Sequence, residues 1–81
     1  MKQLHSKNSD DWTKKGDTFF DLEKYDESIK CYDKALDMNL KNDGAWVSKG
    51  CALQCLKKYY KAIECYDKAL KIGSAEKLFF C

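Results

Sequence analysis

The cysteines are the residues of this chain with the most evident chemical capacity; there are five of them. Cys51 and Cys55 stand four apart, which puts both side chains on one face of a helix. Two thiolates at that spacing make half of a zinc site. The other half is not evident, because the single histidine, His5, lies in a polar N-terminal stretch. The remaining readings of the pair are small apolar surface residues, a metal site shared between two chains, or a redox role. For a redox role nothing adjacent lowers a thiol pKa. A nucleophile paired with His5 would need an orienting third group and an oxyanion site, and the sequence supplies neither. No glycine-rich phosphate loop is present. The carboxylates Asp10 and Asp11 suit the positive start of a helix better than acid–base work. These residues point away from an enzyme, and no cofactor or resident metal is expected.

Composition narrows the remaining classes. The chain has 81 residues, of which 35% are charged and 44% hydrophobic, as in an ordinary globular domain. Fifteen basic and thirteen acidic residues leave a net charge of +2. They are interleaved as on a solvated helix surface, so a nucleic-acid partner is not expected. No apolar run is long enough to span a bilayer, and no apolar stretch follows the polar N-terminus, so neither a membrane nor a secretory signal is expected. A cytoplasmic location is the default, with the cysteines as free thiols. There is no proline, which favours helices over a turn-rich β fold.

The strongest signal is internal. Residues 12–39 and 46–73 align at an offset of 34 without a gap and agree at 13 of 28 places. The identities include Trp12/Trp46, Gly16/Gly50, Tyr25/Tyr59, Ile29/Ile63, Tyr32/Tyr66 and Ala35/Ala69. A fixed period of this size means stacked supersecondary units. Each unit reads as two helices whose apolar residues recur three and four apart. In the first, the chain turns at Glu23-Lys24-Tyr25 and the second helix starts near Tyr25 or Asp26. In the second, helices run from Asp43 to Leu56 and from Tyr59 to Ile72, with a turn at Lys57-Lys58. Asn8 or Ser9 caps the first helix. Asn39 and Gly73 end the second helix of each unit, as residues that tolerate the left-handed conformation. Ser74 then caps a short C-terminal helix, Ala75 to Phe80. Gly16 and Gly50 leave room for close approach of a partner helix. Trp12, Trp46, Tyr32 and Tyr66 read as core.

The pattern Trp12, Gly16, Phe19, Tyr25, Ser28, Tyr32, Ala35, repeated as Trp46, Gly50, Leu53, Tyr59, Ala62, Tyr66, Ala69, resembles the tetratricopeptide repeat, and the period of 34 is that family's period. Lys15 and Lys49 depart from the family's usual Leu, Ser28 from its usual Ala, and Leu40 and Ser74 from its usual Pro. The resemblance implies an all-α fold: two tandem helix-turn-helix repeats in a right-handed superhelical stack, closed by the short C-terminal helix. The divisions are a tail at 1–8, repeats at 9–42 and 43–76, and 77–81 as the end of the last helix or the start of a truncated third repeat.

It also implies a protein-binding scaffold whose first helices line a concave groove. Carried over residue by residue, the groove presents Asp10, Thr13, Asp17, Phe20 and Asp21 from the first repeat and Val47, Cys51, Gln54 and Cys55 from the second. One half is acidic, so the expected partner is a protein or peptide with basic and apolar character. A subclass of the family clamps the carboxylate tails of chaperones with Lys and Asn where this chain has Thr13 and Asp17. An Asp there repels a carboxylate, so acidic chaperone tails are not expected ligands. A second function is self-assembly into a homo-oligomer through exposed end faces, with Leu78, Phe79 and Phe80 as the apolar cluster.

Overall fold

The computed structural model describes residues 8–73. Four helices follow in order: α1 (Ser9–Asp21), α2 (Tyr25–Met38), α3 (Asp43–Cys55) and α4 (Tyr59–Ile72). No strand occurs among the described residues. The short C-terminal helix expected at Ala75 to Phe80 lies outside them.

The helix starts follow local chemistry. Asn8 caps α1, its side chain accepting from the Asp11 N–H at 2.9 Å. Asn42 does the same for α3, accepting from Ala45 N–H at 3.1 Å. Each satisfies an N–H that the helix cannot pair internally. α1, α2 and α3 all carry acids in the first turn, against the positive end of the helix dipole. α4 has none.

The helix ends differ from the expectation in part. Gly73 ends α4 with φ +114°, in the left-handed region. Asn39 does not: it is extended (φ −154°, ψ 99°), and its side chain accepts from Lys41 N–H at 3.0 Å, so it turns the chain through its carboxamide. The left-handed residues within the repeats are instead Glu23 (φ 62°) and Lys57 (φ 65°), at equivalent places in the two turns. Around Glu23 the N–H groups of Glu23 and Lys24 reach Phe20 O and Phe19 O, both at 2.9 Å. Lys57 and Lys58 reach Gln54 O (2.9 Å) and Leu53 O (2.8 Å) in the same way. This paired closure satisfies the last carbonyls of α1 and α3.

Packing follows the repeat. α1 lies on α2 and α3 on α4, and α2 joins the two hairpins by packing on α3. Within each hairpin a glycine admits a tyrosine ring. A Cβ at Gly16 would stand 2.6 Å from Tyr32 Cε1, and a Cβ at Gly50 would stand 2.6 Å from Tyr66 Cε1. Trp12 and Trp46 pack on Ala35, Leu36 and Ala45 at the joint between the repeats. Trp46 also donates from its indole N–H to Leu40 O at 2.8 Å, which fixes the linker.

That joint contains a polar network. Ser9 is buried and donates to Ala35 O at 2.8 Å. Asn42 donates from Nδ2 to Ser9 Oγ (2.6 Å) and to Thr13 Oγ1 (3.1 Å). The same side chain thus caps α3 and ties it to α1. Ser28, where the family usually has Ala, is fully buried, and its hydroxyl donates to Tyr25 O at 2.8 Å. A buried hydroxyl is tolerated when paired in this way.

Candidate protein-binding face

The groove residues divide into an exposed set and a packed set. On α1, Asp10, Asp17 and Asp21 are exposed at spacings of seven and four, which places them on one stripe. Asp17 accepts from the phenol of Tyr32 at 2.6 Å. Burial first, and the Asp17 carboxylate second, push the Tyr32 phenol far above its ordinary pKa. Asp17 is therefore held in place by the core beneath it.

Phe20 is half-buried. It meets Tyr25 edge-on with ring centroids 5.2 Å apart, and it packs on the cluster of Val47, Cys51 and Ala69. Thr13 is also half-buried; it donates to Ser9 O at 3.0 Å and accepts from Asn42. Its hydroxyl is committed to the joint between repeats. On α3, Val47 and Cys51 are 8% and 6% exposed, so they form the floor of this face rather than its surface. Gln54 and Cys55 are exposed. Gln54 accepts from the Tyr66 phenol at 2.8 Å. Hydrogen bonding to the Cys55 side chain is the main cause of a raised Tyr25 phenol pKa, which links the first turn to the end of α3.

The thiols are not equivalent. Cys31, Cys55 and Cys65 are free. Cys51 is disulfide-bonded, which corrects the expectation of free thiols at that position. Its sulfur is therefore not a thiolate that could join Cys55 on a metal. Cys31 and Cys65 are buried, and burial pushes both thiols up, away from nucleophilic character. Among the described residues no group of three or more His, Cys, Asp or Glu could hold a metal ion. No described helix is long and apolar enough to cross a membrane.

Lys15 and Lys49, which depart from the usual Leu of the repeat pattern, lie over the tryptophan rings. Lys15 Nζ lies 5.0 Å from the Trp12 ring centroid, and Lys49 Nζ lies 5.9 Å from that of Trp46. Lys34 and Lys68 approach the same rings from the second helices, at 5.8 Å and 5.6 Å. Each tryptophan is thus flanked by two ammonium groups, a favourable pairing with the ring face. Lys49 further pairs with Asp33 of the first repeat at 2.6 Å.

Paired helices stacked by a thirty-four-residue period, with glycine–tyrosine and tryptophan contacts repeated twice, define a helical repeat protein. The chain belongs to the tetratricopeptide repeat family, whose model matches residues 9–42 and 44–73. Repeats of this family mediate protein–protein interaction. No curated protein matches the chain.

Proposed function

We propose that the α1–α3 face holds a peptide or helix of a partner protein with basic and apolar character. The observation that carries this reading is the exposed acidic stripe of Asp10, Asp17 and Asp21 beside the half-buried ring of Phe20. Complementary charge steers such a partner and fixes its register, while Phe20 over Val47 offers an apolar contact. The first repeat, residues 9–42, carries nine acidic and six basic residues, so its wider field has the same sign.

The test is calorimetric titration with a synthetic amphipathic peptide of Lys and Leu. Asp21→Lys removes one carboxylate outright. Asp17→Asn removes the other charge and keeps an acceptor for Tyr32. The double variant binds about tenfold more weakly or worse, at unchanged helicity. Unaltered affinity would show that this face is not the site.

A second reading, self-assembly, is favoured by one observation. Tyr59, Ile63 and Leu70 form an apolar stripe along α4 and are 55%, 60% and 45% exposed. Such a stripe suits a second copy of the chain. Leu78, Phe79 and Phe80, the cluster expected from the sequence to serve this role, lie outside the described residues. Ile63→Ser with Leu70→Ser lowers the mass seen by light scattering if α4 pairs copies, and leaves it unchanged if it does not.

A further inference from the structure

We propose a second docking surface, on the side of the stack formed by the second helices, that takes an acidic segment of a partner protein bearing one apolar anchor. Between α2 and α4, which share little direct contact, lies a cleft of about 640 Å³. That is within the usual range for a pocket that encloses a side chain or small ligand. Its floor is apolar: Trp46 and Leu53 of α3, with Ile29 packed against Leu53. The proposal is independent of the acidic α1–α3 face.

Charge identifies the occupant. Lys30, Lys58 and Lys61 line the cleft and are exposed, and none makes an ion pair among the described residues. Lys49, deeper in the cleft, is already neutralised by Asp33. The two repeats share their packing residues, yet one position lining the cleft turns from acid to base: Glu27 in the first corresponds, thirty-four residues on, to Lys61 in the second. Residues 43–73 carry six basic and three acidic residues, against the acidic excess of the first repeat. Local stability does not ask for Lys58 and Lys61, because the start of α4 is where acids would be favoured. A polyanion is a poorer match than a peptide: Asp26, Asp33 and Glu64 also line the cleft and would oppose a continuous phosphate backbone. An acidic segment can place isolated carboxylates on the lysines and one Leu or Phe on the floor.

The probe is a synthetic peptide of alternating glutamates and small polar residues with a single central Phe, together with its all-Gln counterpart. The native chain is titrated while amide and indole signals are followed by two-dimensional NMR. Saturable shifts are expected at Leu53, Lys61 and the Trp46 indole, with Asp17 and Asp21 unmoved. The Gln peptide, and the Lys58→Glu/Lys61→Glu variant with the Glu peptide, both bind about tenfold more weakly or worse. Both substitutions put acids at the start of α4, so the fold is retained, and circular dichroism checks this. Equal binding of the Gln peptide, insensitivity to the lysine reversal, absence of saturable shifts, or displacement of the peptide by a short single-stranded RNA would each overturn the proposal.

Discussion

Substituting Gly50 by Ala probes the contact on which each repeat is built. The added methyl would stand 2.6 Å from Tyr66 Cε1 and 2.9 Å from Cδ1. Carbon atoms in contact prefer about 3.5–4.0 Å, so the ring must shift by roughly 1 Å. It is not free to do so, since its phenol donates to Gln54 at 2.8 Å and its face packs on the Val47–Cys51–Ala69 cluster. Overpacking of this kind costs about 1–3 kcal/mol. Alanine regains about 1 kcal/mol over glycine inside a helix. Gly50→Ala should therefore destabilise the chain by about 1 kcal/mol, lowering the melting temperature by about 4–8 °C. In a Tyr66→Ala background the methyl meets no ring, and the same substitution should stabilise by up to about 1 kcal/mol. Chemical denaturation of the four proteins of this cycle measures the change of sign. If Gly50→Ala has the same effect in both backgrounds, glycine is not there to admit tyrosine.

Three further outcomes follow from the joint, the turns and the buried phenol. Asn42 caps α3 and donates to two hydroxyls whose own protons go to Ala35 O and Ser9 O. Asn42→Asp would keep the cap but set a carboxylate against two acceptors, so it should cost about 1–2 kcal/mol by denaturation; a variant as stable as the parent would contradict the network. Lys57→Gly removes a side chain from a left-handed position and should raise stability by about 0.5–1 kcal/mol, read as a higher denaturant midpoint; an unchanged or lower midpoint would count against strain there. The folded state holds the Tyr32 proton more tightly than the unfolded chain does, because burial and Asp17 raise its pKa. Its contribution to stability is therefore complete below about pH 10, the unfolded value, and declines above it. Tyr32→Phe should flatten that alkaline decline, and an unchanged pH profile would refute the assignment.

The repeat made most of the architecture legible, because the same apolar spacings had to be satisfied twice by the same packing. Helix limits could be read from Asn8 and Gly73, which act through local chemistry. What was not legible depends on contacts far apart in sequence. Glu23 and Lys57 adopt the left-handed conformation without being glycine, so no residue type marks them. Ser9 and Asn42 are ordinary cap residues in sequence, and only the stacking of α1 on the joint gives them a common network. The candidate face was legible as a stripe but not in depth. α3 is apolar on several sides because it packs on α2 and α4 and touches α1. Periodicity therefore could not say that Val47 and Cys51 would be covered, or that Gln54 and Cys55 would remain outside. The cleft between α2 and α4 has no sequence signature, since its walls come from both repeats.

Whether the α1–α3 face receives a partner segment is read from amide shifts of the native chain during titration with the Lys–Leu peptide. Saturable shifts are expected at Asp17, Phe20, Asp21 and Gln54, weakened by added salt as exposed charges are screened, with affinity about tenfold lower or worse in the Asp17→Asn/Asp21→Lys variant. Saturable binding that leaves those four residues unmoved, or that persists unchanged in the variant, would contradict that reading.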